Sequence, residues 1–186
     1  MNRTRYVAQA GIIAALYAVL TLAVLQMPMY LGWGLVQFRL SEALTVLALI
    51  TPAAMPGLTV GTAAANAFLI TQVGPIALLD VVFGALATLI GTIWAWRNRA
   101  KPLVALLGPV ISNALIVPAY LPVLLAGLGL YAIPVLGIDL EGSWLAMYGL
   151  GVVAVGFGQA VVVYGLGLPL YATLQRVGLG ISTRPR

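Results

Sequence analysis

Two carboxylates, one guanidinium and three carboxamides stand inside stretches of this chain that are otherwise apolar: Glu42 and Asp80, Arg39, and Asn66, Asn113 and Gln159. Such groups are costly inside a bilayer, so each is expected to be paired or useful. Arg39 and Glu42 are three apart in Gln37-Phe38-Arg39-Leu40-Ser41-Glu42. Either they pair on one helical face, with the acid also favoured by the helix N-terminus, or Glu42 contacts a ligand and Arg39 orients it. Asp80 follows Pro75 by five residues, about 7 Å of helix. It is a first-turn acid that reaches water, or a ligand contact. Asn66, Asn113 and Gln159 sit mid-segment among small residues, where amides tie helices together or read a substrate. Together these side chains form a polar pocket for a hydrogen-bonding, uncharged or cationic small molecule.

The residues that are missing narrow the chemistry further. With no Cys and no His, the chain has no disulfide, no thiolate, no imidazole-activated nucleophile and almost none of the usual zinc or haem ligands. The closely spaced acids Asp139 and Glu141 lie in a loop and read as solvated, and no apolar segment carries a carboxylate pair at i,i+3 or i,i+4. Metal-assisted chemistry therefore has little to stand on. Catalytic residues, metals and cofactors are all expected to be none. The single lysine, Lys101, follows Ala100 and precedes Pro102, so no G-x-x-x-x-G-K-[ST] phosphate loop exists and ATP is not expected to be hydrolysed by this chain.

The elements that position these groups must be membrane helices. Of 186 residues, 62% are hydrophobic and 7% charged, against about 25% charged in soluble domains. The chain runs apolar from Tyr6 to Leu25 and ends there without a cleavage motif, so this is a crossing and not a signal peptide. Tyr30 to Phe38, with Gly32, Trp33 and Gly34, reads as an interfacial loop. Leu40–Ile50 and Leu58–Gln72 are short and are separated by Thr51-Pro52-Ala53-Ala54-Met55-Pro56-Gly57. The first is an interrupted span or one arm of a re-entrant hairpin. Gly74-Pro75 opens a clear crossing from Ile76 to Trp96. Pro102 to about Leu125 is the next, with Pro109, Pro118 and Pro122 predicting kinks or an early end. Trp144 to Leu174 is a long, Gly-rich final helix.

Helices at roughly 6–26, 39–54, 57–73, 75–97, 102–125 and 144–175 give an all-α membrane protein of six transmembrane helices, a single domain over 1–186. In that layout Arg3, Arg5, Arg97, Arg99, Lys101, Arg176, Arg184 and Arg186 fall on one side, which places both termini in the cytoplasm. The net charge of +5 is thus an orientation signal, and nucleic acid is not expected as a partner. Ala10, Ala14 and Ala18 recur at i,i+4 on the first helix, beside Gly11 and Ala15. This stripe of small residues packs inside the bundle or docks another membrane protein. Gly57, Gly61 and Ala65 form a similar stripe, read as internal packing.

Val36-Gln37-Phe38-Arg39-Leu40-Ser41-Glu42-Ala43-Leu44-Thr45 and Thr51-Pro52-Ala53-Ala54-Met55-Pro56-Gly57-Leu58 resemble the Phe-Arg-x-Ser-Glu-Ala and Thr-Pro-Ala-Ala-x-Pro-Gly signatures of the QueT group. This group belongs to the substrate-binding (S) components of energy-coupling-factor (ECF) transporters. The stripe Ala10, Ala14, Ala18 is similar to the Ala-x-x-x-Ala surface by which S components contact their coupling partner. The resemblance spans nearly the whole chain. It implies a compact six-helix S-component fold in the bacterial cytoplasmic membrane. It also implies partners, a transmembrane coupling (T) subunit and two ATPase subunits, and uptake of a queuosine precursor, a deazaguanine base. A carboxylate suits the donor edge of such a base, an amide its carbonyl, and Trp33 or a tyrosine its flat face; a second carboxylate would pair with an aminomethyl arm if there is one. The candidate substrate-binding set, taken from the polar groups above with the loop tryptophan, is Glu42, Arg39, Asn66, Asp80, Asn113, Gln159 and Trp33. Two rivals remain. One is a stand-alone secondary carrier or exporter of small cations, for which an internal repeat is expected and none is found. The other is a membrane enzyme acting on lipid through Glu42, Asp80 and Arg39.

Overall fold

The structure is a computed structural model, and it describes residues 2–25, 38–127, 132–133, 138–139 and 144–178. Helix α1 spans Arg3–Leu25, with the Asn2 side chain accepting the Thr4 N–H at 3.2 Å to cap its start. A short helix wound as a 3₁₀ helix covers Leu40–Leu49. Next come α2 (Ala54–Ala67) and its one-turn continuation α3 (Ile70–Val73). Gly74 then turns the chain with φ +76°, a conformation that suits glycine. A 3₁₀ turn at Gly74–Ala77 and a π-turn at Asp80–Gly84 lead into α4 (Ala85–Arg97). Helix α5 runs Pro102–Gly127. After a two-residue antiparallel ladder, β1 (Ala132–Ile133) with β2 (Ile138–Asp139), α6 (Trp144–Val162) continues through a π-turn at Val163–Gly167 into α7 (Leu168–Arg176).

Among the described residues, five helical stretches are long and apolar enough to cross a membrane: Arg3–Val24, Ala54–Gln72, Gly74–Arg97, Pro102–Val123 and Trp144–Arg176. Leu40–Leu49 is the sixth helical piece and is too short to join them. Ten residues at about 2 Å each give roughly 20 Å, less than the ~30 Å of a hydrocarbon core. The segment after it is longer than its sequence suggests. The run Thr51 to Gly57, expected as a separator, shrinks to a turn because α2 begins at Ala54 and accommodates Pro56 in its first turn, where no backbone N–H is missed. Nor do the three prolines end α5 early.

The short helix is the centre of the molecule. It touches α1, α2, α4, α5, α6 and α7. Its exposure pattern repeats every three residues: Leu44, Leu47 and Ile50 are half-buried and the two residues between each are buried. This is the period of a 3₁₀ helix, in which i and i+3 eclipse. The outside is apolar instead, with Val7, Ile12, Leu16 and Val19 on α1 and Val153, Phe157 and Val161 on α6 all exposed. Many polar groups lie inside, including Thr62, Thr88 and Thr92, whose hydroxyls each bond back to the carbonyl four residues earlier.

Small residues let the helices approach one another. A Cβ on Gly57 would stand 2.8 Å from the Ala10 carbonyl oxygen, and one on Gly61 only 2.7 Å from that of Ala14. The stripe on α2 is therefore an internal seam, and it engages the backbone of Ala10 and Ala14. Those two alanines and Ala18 are half-buried, whereas Gly11 and Ala15 beside them are exposed.

Candidate functional site

The short helix delivers Glu42 to the middle of the bundle, where the residue is 2% exposed. Tyr17 of α1 donates its hydroxyl to Glu42 Oε1. The Gln159 amide of α6 donates to Oε2 at 2.8 Å, joining residues far apart in sequence. Thr21, one turn beyond Tyr17, lies 2.7 Å from the Ser41 hydroxyl and also bonds back to the Tyr17 carbonyl. Thr45 closes the short helix's own turn by donating to the Glu42 carbonyl at 2.7 Å.

A second knot of bonds surrounds Asp80, which is fully buried. Arg39 bridges its Oδ2 at 3.3 Å, and the Tyr120 hydroxyl of α5 donates to its Oδ1 at 2.6 Å. Asn66 of α2 donates its amide N–H to the Asp80 carbonyl at 2.8 Å, and its own oxygen accepts from Arg39 at 3.4 Å. Space for this knot comes from Gly84, one turn after Asp80. A Cβ there would stand 2.7 Å from Asn66 Nδ2 and 3.1 Å from Asp80 Oδ1. The π-turn that begins at Asp80 is the kind of local unwinding often found at functional sites. Every buried side-chain N and O among the described residues has a hydrogen-bond partner, as a polar interior in a membrane requires.

Two of the alternative readings are set aside here. Arg39 and Glu42 do not form the i,i+3 pair that one reading of their spacing gave. Arg39 precedes the helix in an extended conformation, φ −77° and ψ 98°, so helical spacing does not govern it, and its ion pair is with Asp80. Nor does Asp80 reach water, because α2 and α5 cover it with Asn66 and Tyr120.

Of the residues singled out from sequence, Arg39, Asn66 and Asp80 come together in one knot, and Glu42 and Gln159 in the other. Asn113 joins neither. Its amide donates to the Pro109 carbonyl of its own helix at 3.0 Å. Trp33 lies outside the described residues. Sequence reasoning missed Tyr17 and Tyr120, whose hydroxyls complete the two carboxylates. A signal was present: both stand well inside apolar runs, whereas membrane tyrosines concentrate at the interfaces. Each also packs in a different apolar cluster, Tyr17 with Val46, Leu49 and Leu58, Tyr120 with Leu69, Val117 and Val155.

Chemically, the arrangement holds one neutralised ion pair, one carboxylate supported by uncharged donors, and two amides. Groups of these kinds are the ones that fix a small polar molecule through directed hydrogen bonds. Among the described residues no group of His, Cys, Asp and Glu could hold a metal ion.

No curated protein and no solved structure matches the chain. A family model described as QueT transporter matches residues 7–176, a range that contains every residue of both knots. With five helices among the described residues long and apolar enough to span a bilayer and a family match over nearly its whole length, the chain is a multi-pass membrane protein and belongs to the QueT transporter family.

Proposed function

We propose that this transporter is the substrate-binding subunit of an ATP-driven ECF importer in the bacterial cytoplasmic membrane, and that it takes up a queuosine precursor, a deazaguanine base. The observation that carries the reading is the burial of Arg39, Glu42, Asn66, Asp80 and Gln159, drawn from four separate segments into the interior of the helix bundle. Carboxylates there suit the ring N–H and exocyclic amine of the base, and the amides suit its carbonyl. A T subunit and two ATPase subunits supply the energy. The short central helix counts as the sixth helix of the S-component bundle, and both termini face the cytoplasm, in keeping with the basic residues at helix ends.

The coupling partner docks on α1 over the exposed Gly11 and Ala15 and the half-buried Ala10, Ala14 and Ala18 that flank them, beside the seam in which the Ala10 and Ala14 carbonyls meet α2. A Cβ on Gly11 would meet nothing within 4 Å. Gly11→Leu should therefore leave folding and ligand binding intact while abolishing uptake. If uptake persists, the dock lies elsewhere.

Calorimetry on the purified chain alone tests the function. A deazaguanine base should bind without ATP and without partners. If the base gives neither heat nor a thermal shift while another vitamin does, the ligand assignment fails and the S-component reading stands.

A further inference from the structure

We infer that the ligand is cationic and that Glu42, not Asp80, receives its positive group. This rests on the cluster being the ligand site, and adds the charge of what the site takes. Among the described residues, the buried Arg, Lys, Asp and Glu side chains are Arg39, Glu42 and Asp80. Arg3, Arg5, Arg97, Arg99, Lys101 and Arg176 are exposed or half-buried at helix ends. The segment from Gln26 to Gln37 contains no Lys, Arg, Asp or Glu, so it brings no charge to the cluster. One guanidinium thus faces two carboxylates. However Arg39 is shared, the described interior is one positive charge short.

The geometry says where the shortage falls. Asp80 has Arg39 at 3.3 Å. Glu42 has the Tyr17 hydroxyl and the Gln159 amide, donors that support a carboxylate without cancelling its charge. An unmatched carboxylate in a membrane interior is strongly disfavoured, and a ligand ammonium placed against it removes the imbalance. Each Glu42 oxygen accepts one of these bonds, and a carboxylate offers about four acceptor positions, so capacity remains for a charged donor. The other way to remove the imbalance is a proton on Glu42, and a site of that kind has no preference for cations.

The experiment compares two ligands of equal heavy-atom count, 7-aminomethyl-7-deazaguanine, a cation, and its neutral 7-cyano counterpart. Affinities are measured by calorimetry on the purified chain and on Glu42→Gln, with melting temperature recorded on the same samples. The parent should prefer the amine by about 10- to 100-fold, the range of a hydrogen bond to a charged group, and the variant should lose most of that preference. Equal binding of the two by the parent overturns the inference and needs no variant. A folded Glu42→Gln that keeps the full preference overturns the assignment to Glu42. If neither base binds, it is the deazaguanine reading that fails. The same comparison is then made between the compound that copurifies with the chain and its uncharged derivative, and a ligand without a cationic group overturns the charge inference.

Discussion

Asp80 and Glu42 are both buried inside the bundle, yet Asp80 is met by a guanidinium at 3.3 Å and a phenol at 2.6 Å, whereas Glu42 is met by a phenol and a carboxamide. The Asp80 knot is closed, because charge is matched and Asn66 ties the Asp80 backbone to the same group of residues. The Glu42 knot is satisfied in hydrogen bonds but not in charge. A buried pair resists removal of either member, while a buried carboxylate without a cation favours whatever brings one. On the function proposed above, the difference makes Asp80 a structural carboxylate and Glu42 a receptive one.

The largest effect that could break this contrast comes from neutralising each acid in turn. Asp80→Asn takes from the buried Arg39 the carboxylate it bridges and should destabilise the protein by about 3–5 kcal/mol, read as a large fall in melting temperature. Glu42→Gln leaves no orphaned cation, so it should melt near the parent and lose ligand. Were Glu42→Gln the less stable of the two, the roles of the two acids would be reversed.

A smaller effect sharpens the contrast by crowding one knot only. In Gly84→Ala the new methyl would stand 2.7 Å from Asn66 Nδ2, so Asn66 must move and its bond to the Asp80 carbonyl is strained. Overpacking of this kind costs about 1–3 kcal/mol. The fall should appear in thermal unfolding, and it should not add fully to that of Asp80→Asn, since neighbouring sites couple.

Removing single phenol hydroxyls distinguishes the knots more finely. Tyr120→Phe takes a donor from a carboxylate that keeps Arg39, and Tyr17→Phe takes one of the two described donors of Glu42. Each should cost about 1.5–3 kcal/mol, as for hydrogen bonds to charged groups. Tyr17→Phe should in addition change ligand affinity, and Tyr120→Phe should leave it near the parent value. Calorimetry and melting on the two variants side by side decide it.

How much of this was legible in the sequence depends on what each feature rests on. Composition and apolar runs fix the membrane class and the long helices, because burial in lipid demands uninterrupted apolar length. The polar residues stood out for the same reason, since the bilayer makes each of them an exception. Pairing was not legible. The spacing of Arg39 and Glu42 suggests a helical pair only if both are in the helix, and Arg39 is outside it. Its partner Asp80 is 41 residues away, a contact that no local period encodes. The short helix was visible as a short apolar run, but its central position follows from six helices and the π-turn at Val163–Gly167 packing around it. The seam of α1 on α2 was half visible. Glycine at 57 and 61 marks a close approach, but only the fold says that Ala10 and Ala14 provide the opposing backbone.

Asn113 supplies the smallest effect and the cleanest control on the boundary of the site. From sequence it stands with Asn66 and Gln159 as an amide in mid-membrane. In the fold its amide reaches only the Pro109 carbonyl, one turn back on α5. A bond within one helix neither ties elements together nor faces either carboxylate. Asn113→Ala should therefore cost no more than about 0.6 kcal/mol, the average for polar contacts inside membrane bundles. Ligand affinity should remain that of the parent, in contrast to Gln159→Ala, which strips a donor from Glu42 and should weaken binding. If Asn113→Ala binds the ligand as poorly as Gln159→Ala, the site extends along α5 beyond the two knots, and the division between a closed and a receptive carboxylate no longer accounts for recognition.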